Sequence, residues 1–301
     1  MLNEVVKLKP VIKRYIWGGD YFSHFSKGEG DISELWELSV RKDNSSLIAS
    51  GEKEGTPLVD VIDNNDIGPV SNRFPYFPLL IKLIDAKESL SIQVHPSDDY
   101  ALKHENSYGK TEMWHIIDAK ENAGLYVGFN KDYSLEEVES ALKNGKIIDL
   151  LNFFPVKKGD TFIINSGTIH AIEKGVQLIE IQQNSDLTYR LYDYDRIDKS
   201  GQKRELHIEK ALKVINTSKY QKEENSSDVL GDTKYFKVER KEVKGNLTLE
   251  ANNNSFISFT FLNGKGTVNN IKYQAFDTFF LPYGKKCEIK GEGTLVMSQV
   301  L

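Results

Sequence analysis

Cysteine is nearly absent from this chain: Cys287 is the only one among 301 residues. That excludes an internal disulfide framework and suits a reducing compartment. Long apolar runs are missing as well. No stretch approaches the ~20 residues that a membrane helix needs, and the opening MLNEVVKLKP has no apolar core of the kind a secretory leader carries. The expectation is a cytoplasmic protein with no membrane partner. Basic excess is the third absence. The formal charge is −5 and no basic stripe stands out, which argues against nucleic acid as a partner. An anionic ligand would need a local cationic site that works against this field.

What the chain does contain is ordinary for a globular protein, with 39% hydrophobic and 28% charged residues. The length allows one large domain or two ordinary ones. Most of the text reads as short strands: FPLLIKLID, LSIQVHP, EMWHIID, GLYVGF, DTFIINSG, VQLIEIQ and LTYRLYDY are rich in β-branched and aromatic residues, with turn formers between them. That pattern predicts a mainly β fold of sandwich or barrel type. Two stretches have helical spacing. SLEEVESALKNGKIIDLLNFF begins with Ser134 as an N-cap and an acidic first turn, which predicts a small helical segment near 131–155; HIEKALKVI is shorter.

Residues 218–234 are polar and read as a linker. They divide the chain into a first domain over 1–217, containing the helical segment, and a second β domain over 235–301. The two resemble each other. GDTFIINSGTIH, ending at His170, and FDTFFLPYGKKC, ending at Cys287, lie 117 residues apart, and at that offset Asp160 meets Asp277, Thr161 meets Thr278, Phe162 meets Phe279 and Gly167 meets Gly284. A duplicated sandwich unit accounts for this. The second copy has Cys where the first has His, so one copy would work and the other would pack.

Chemistry concentrates in the first copy. In SLSIQVHPSD, Ser91, Gln93 and His95 alternate with Ile92 and Val94, so three polar side chains share one strand face. GKTEMWHI places Lys110, Glu112 and Trp114 on one face, and NSGTIHAI delivers His170 just past a glycine-bearing turn. Two imidazoles, one carboxylate and an amide oxygen suit a divalent ion of zinc type with a position left open. In LIEIQQNSDLTYRLYDYDR, Glu180 and Gln182 share a face, and Asp186, Thr188, Arg190 and Tyr192 follow at even positions. Residue type alone also allows a plainer reading, in which Lys110, Glu180 and Arg190 are ion-pair partners. His115 falls on the face opposite Glu112 and reads as structural. His24, His104 and His207 lie in polar text without a partner pattern, and Cys287 reads as a small buried residue.

Taken together, SLSIQVHPSDDYA, GKTEMW, INSGTIHAI and QNSDLTYRLYDYDR resemble the type I mannose-6-phosphate isomerases, zinc enzymes of the cupin fold. The four occur in the family's order. VIKRYIWGG, ELWELSV and ELHIEKAL extend the resemblance over nearly the whole chain, and the small helical stretch resembles the shorter bacterial form. The resemblance implies two cupin-type β-sandwich (jelly-roll) units. GDTFIINSGTIH looks like the second cupin motif, with Asn165 where Pro is common. The first cupin motif usually offers His-x-His, and this chain has Gln93-x-His95, as the isomerases do.

By resemblance, Gln93, His95, Glu112 and His170 match the ligands of one zinc ion per chain. Arg190 matches the family's active-site arginine, and Lys110 and Glu180 match acid-base or substrate-contacting positions. Lys82 and Ser91 resemble phosphate-holding positions, and Asp186 is a further substrate-site candidate. The implied reaction interconverts mannose 6-phosphate and fructose 6-phosphate through a cis-enediol, with the base open between Glu180, Lys110 and a water. A sugar phosphate is the implied partner; the oligomeric state is left open. The alternative is a metal-binding cupin that senses a sugar phosphate without turnover, and its mark would be a lost ligand. None is lost here. A cupin oxygenase holding iron fits the anion-binding candidates less well.

Overall fold

A computed structural model describes residues 1–25, 27–197, 201–222, 228–252 and 254–301. Residues 223–227 of the expected linker, and 198–200 of the charged loop before HIEKALKVI, lie outside the described residues. The fold is mainly β, as expected, and built of antiparallel sheets.

Contacts group the chain into two units: Met1–Lys13, Leu35–Leu83 and Glu224–Leu301 form one, and Arg14–Glu34 with Ile84–Glu223 form the other. Expected boundaries at 217 and 235 followed composition alone. In the first unit, the N-terminal strand Val6–Lys9 pairs with Thr278–Leu281, so its sheet needs both ends of the chain. That sheet runs Val229–Asp232, Phe236–Glu250, Lys286–Val300, Ile257–Val268, Thr278–Leu281, Val6–Lys9 and Leu47–Ile48, with Ile271–Gln274 attached to Ile257–Val268. Phe259, Phe261, Phe279, Leu295 and Ile289 pack its core, and Cys287 is buried among them. Burial pushes the Cys287 thiol up to about 12, so it is an inert apolar residue.

The second unit carries the chemistry. One layer is the five-stranded sheet Tyr189–Tyr192, Ile92–Val94, His170–Ile172, Gly124–Phe129 and Leu151–Pro155. The facing layer has Glu112–Ala119 between Thr161–Ile164 and Val176–Gln183. Trp114, Ile116, Phe162 and Leu178 of that layer meet Leu125, Val127 and Ile172 of the first, which closes a sandwich. On the other side of the five-stranded sheet, Ile92, Val94, Ala171, Tyr189 and Leu191 pack against Val138, Ile147 and Ala211 of the short helices. Strand alternation then settles where the polar face of SLSIQVH points. With Ile92 and Val94 turned to the helices, Gln93 faces the sandwich interior.

The helical stretch divides. Ser134 caps Leu135–Lys143 with a capping box to Glu137. Gly145, at φ +67°, ends it. After one 3-10 turn at Ile147–Leu150, the apolar Leu151–Pro155 pairs with Gly124–Phe129 as a strand. The tail expected to be helical is therefore β, because its phenylalanines find a sheet edge to join.

The repeat is visible in the turns. Asp160 accepts from Lys157 N and Asp277 from Gln274 N, both at 2.9 Å, and both precede a strand of the same length. Gly167 and Gly284 follow those strands at φ +87° and +73°, a region that L side chains avoid. Leu125 has no exposed surface at the middle of the sandwich. Leu125→Ala is expected to cost about 2–5 kcal/mol of stability by leaving a cavity there, read by chemical denaturation.

Candidate metal centre and active site

His170 opens its strand and stands opposite Gln93, and Gln93 stands opposite Arg190 on the next strand. Arg190, Gln93 and His170 thus form one cross-strand row, with neighbouring strands ~4.8 Å apart. Glu112 comes from the facing layer, and His95 follows the strand that carries Gln93. Ligand atoms of His95, Glu112 and His170 lie within 4.8 Å of one another, and all three residues are buried. His170 Nε2 is 3.4 Å from Glu112 Oε1, and His95 Nε2 is 3.7 Å from Oε2. Gln93 Nε2 is 3.3 Å from His170 Nε2.

Both imidazoles are fixed from behind. His95 Nδ1 lies 2.7 Å from the Leu187 carbonyl and His170 Nδ1 lies 2.9 Å from that of Thr168. A carbonyl only accepts, so each Nδ1 carries the proton and each Nε2 turns its lone pair to the centre. Burial, and next the charge of Lys110, lower the His170 pKa to about 3, so its ring is neutral at physiological pH. The Gln93 amide can turn its oxygen inward, because its outer partner is the Ser91 hydroxyl at 3.3 Å, which donates or accepts. A cation already stands on these donors: the Lys110 ammonium bonds Glu112 Oε2 and lies 3.1 Å from His95 Nε2. The donor set fits a divalent metal ion.

Around it sit the groups suited to proton transfer and charge recognition. Glu180 is buried, with Oε2 accepting from Trp114 Nε1 at 3.0 Å and lying 3.9 Å from Lys110 Nζ. Arg190 is half-buried, and its Nε is buried with no hydrogen-bond partner among the described residues. Burial lowers its pKa first, and the charge of Arg204 lowers it next.

Comparison with known proteins agrees with this geometry. Residues 5–115 match the family model described as phosphomannose isomerase type I, catalytic domain. Mannose-6-phosphate isomerase ManA of Bacillus subtilis is 36% identical, covering 97% of this chain and 97% of its own. A mannose-6-phosphate isomerase of Streptococcus mutans is 36% identical over 72% of this chain and 70% of its own. The crystal structure of the mannose 6-phosphate isomerase from Bacillus subtilis superposes with a TM-score of 0.89 at 33% identity, covering 98% of this chain and 99% of that one. The chain belongs to the type I phosphomannose isomerases. It is an enzyme, a mannose-6-phosphate isomerase with a cupin-like fold, and its His95–Glu112–His170 cluster could hold a metal ion.

Of the residues singled out in this phosphomannose isomerase, the structure gathers His95, Glu112 and His170 tightly, with Gln93, Lys110 and Glu180 in contact with that group or one step from it. Ser91 touches Gln93. Lys82 is buried in Leu79–Ala86 within the other unit, its ammonium 5.6 Å from the Trp36 ring centroid. Asp186 is exposed. His115 lies off the site, bonded to Thr161 at 2.9 Å. Trp114 was given no role from sequence, yet it holds Glu180; its place two residues after Glu112, on the same strand face, was the available signal.

Removing a ligand should cost more metal affinity than the ~10–100-fold that loss of an outer hydrogen-bond partner causes. Glu112→Gln and His170→Ala are each expected to purify with little metal by elemental analysis. A full complement of metal in either would show that the ion sits elsewhere. Trp114→Phe should keep the metal and lose turnover.

Proposed function

We propose that the protein interconverts D-mannose 6-phosphate and D-fructose 6-phosphate, with one zinc ion per chain held by Gln93, His95, Glu112 and His170. The observation that carries this reading is the row Arg190–Gln93–His170: an arginine whose Nε has no hydrogen-bond partner among the described residues stands directly opposite Gln93 and one strand further from His170. That spacing suits a substrate with oxygens to chelate at one end and negative charge to recognise close by. The names of the relatives support the same substrate.

The reaction moves a carbon-bound proton between C2 and C1 and a hydroxyl proton between O2 and O1, by way of a cis-enediol, and the electrons stay in the sugar. When bound, the ion supplies Lewis acidity toward the sugar oxygens, which none of the side chains offers. Glu180 and Lys110 are the residues placed to carry the proton. Trp114 anchors one carboxylate oxygen of Glu180, and the Lys110 ammonium 3.9 Å away can return a proton to it. Arg190 starts from too high a pKa to exchange protons readily, so its part is to hold charge on the enediolate side. Ser91 is a substrate-binding residue in this reading, and Asp186, six residues after Glu180, is a further substrate-site candidate.

The direct test is a coupled assay for fructose 6-phosphate formed from mannose 6-phosphate, on protein as purified, after chelation and after zinc is restored. Activity is expected to vanish with the chelator and return with zinc. A folded, zinc-loaded sample without turnover would favour the sensor reading instead. Arg190→Ala should keep its zinc and lose at least ~100-fold in kcat, the scale of a lost transition-state charge partner.

A further inference from the structure

His207, in ELHIEKAL, has no partner pattern in the sequence, yet in the fold it meets the strand of Arg190. Tyr189–Tyr192 is the edge of the five-stranded sheet and pairs on one side with Ile92–Val94. An edge strand turns a row of N–H and C=O groups outward, with no further strand to meet them. At Arg190 His207 takes both. The His207 main-chain N–H donates to the Arg190 carbonyl at 2.8 Å, and the Arg190 N–H donates to His207 Nδ1 at 3.3 Å. One residue does the work of a neighbouring strand, half with its main chain and half with its ring.

A main-chain N–H only donates, so Nδ1 carries a lone pair and the neutral ring has its proton on Nε2. A proton on Nδ1 would leave the Arg190 N–H facing a second donor. Because the Arg190 N–H and C=O point to His207, they point away from Gln93. Arg190 and Gln93 are therefore a non-hydrogen-bonded cross-strand pair, the kind whose Cα atoms stand ~4.5 Å apart with side chains close. The contact from His207 thus fixes, from outside the sheet, the arginine beside a metal-ligand candidate.

His207 is itself held. It opens the short helix Ile208–Leu212, whose first bond runs from Ala211 N to the His207 carbonyl at 2.9 Å. Ala211 has no exposed surface and packs with Tyr189 and Leu191. The Lys210 ammonium and the Tyr189 hydroxyl both donate to Glu105 Oε1, at 2.7 and 2.9 Å, which pins helix and strand to one carboxylate. The Arg190 side chain has no such anchor at Nε, so its main chain decides where the guanidinium stands.

The charged and titratable groups that face His207 are Arg190 and Tyr189 from the strand, Glu105 from the end of Asp98–His104, and Glu205 and Lys210 from its own segment. Burial first, and the Arg190 charge next, lower the His207 pKa, against the opposite pull of Glu205 and Glu105. The ring is neutral at physiological pH and gains its proton only in acid.

We propose that His207 is a positioning residue for Arg190: its neutral ring fixes the arginine main chain for turnover, and protonation of the ring releases it. The proposal rests on the isomerase reading above and adds to it a residue that acts through Arg190 and not on the sugar.

The test measures kcat and KM for mannose 6-phosphate on zinc-loaded, full-length protein from about pH 5 to 8. His207→Ala is expected to lower kcat at neutral pH at least tenfold with KM changed less than threefold, the mark of a misplaced group and not of lost ground-state binding. His207→Asn puts a carboxamide oxygen near the place of Nδ1 and has no proton to gain. It should restore kcat to within threefold and lose the acid fall in kcat that wild type shows. A folded Ala variant with wild-type kcat, an Asn variant as impaired as Ala, or the same acid limb in Asn and wild type would each overturn the assignment while leaving the isomerase reading intact. If the Ala variant fails to fold, the comparison of Asn with wild type decides. A wild-type protein without isomerase activity would instead remove the reading on which the assignment rests.

Discussion

Glu112 is a carboxylate with no exposed surface inside a β-sandwich, and the arrangement of the second unit follows from that burial. Moving an ion of this size out of water carries an idealised cost of order 20 kcal/mol, still several after relaxation. Packing cannot offset this; only nearby positive charge and hydrogen bonds can. Among the described residues the fold answers with the Lys110 ammonium on one oxygen, while the two imidazole Nε2 atoms stand 3.4 and 3.7 Å from the carboxylate without a proton to give it. The imidazoles could have been donors toward the carboxylate, but the Leu187 and Thr168 carbonyls have claimed their protons at Nδ1. A carboxylate facing two lone pairs suits a cation of higher charge than an ammonium, which is why the cluster fits a metal ion.

Local text carried much of this. Alternation in SLSIQVHP specified that Gln93 would share a face and be turned from Ile92 and Val94, and the structure puts those two residues against the short helices. His115 could be set aside because one residue along a strand reverses the face. The N-cap at Ser134 was readable for the same reason, since cap and acidic first turn are neighbours in sequence, and the structure adds its capping-box partner Glu137. Other features were out of reach because they depend on distant pairing. Val6 stands opposite Phe280, and nothing within either strand announces that the chain's two ends share a sheet. Leu151–Pro155 continues a helical-looking apolar pattern, and only the presence of Gly124–Phe129 alongside makes it β. Trp114 was seen on the correct face, but that its indole would meet Glu180 depends on the register of Glu112–Ala119 against Val176–Gln183, where Glu180 stands opposite Trp114.

The two copies show how little of a cupin-type unit is reserved for chemistry. Their Asp-capped turns and following strands coincide to the residue, and so do the glycines at positive φ. At the position after that turn, however, one copy has His170 with its Nδ1 fixed by a carbonyl, and the other has Cys287 sealed among Leu249, Ile289 and Phe261. Scaffold and site therefore respond to different constraints. The turn is kept by backbone geometry, which either copy needs in order to fold. The imidazole is needed only where Glu112 supplies a facing charge, and without such a carboxylate an apolar residue is the more stable choice at the same point.

The same burial decides which cation is left over. The sandwich interior holds Glu112 and Glu180, two carboxylates that would repel an anion brought beside them. Lys110 already bonds Glu112 and stands 3.9 Å from Glu180, so its charge is taken up by that pair. Arg190 shares a cross-strand row with Gln93 and His170, and its Nε has no hydrogen-bond partner among the described residues. In the proposed reading this guanidinium is where negative charge on a substrate would be met, and the strand pairing holds its backbone in place before an anion arrives.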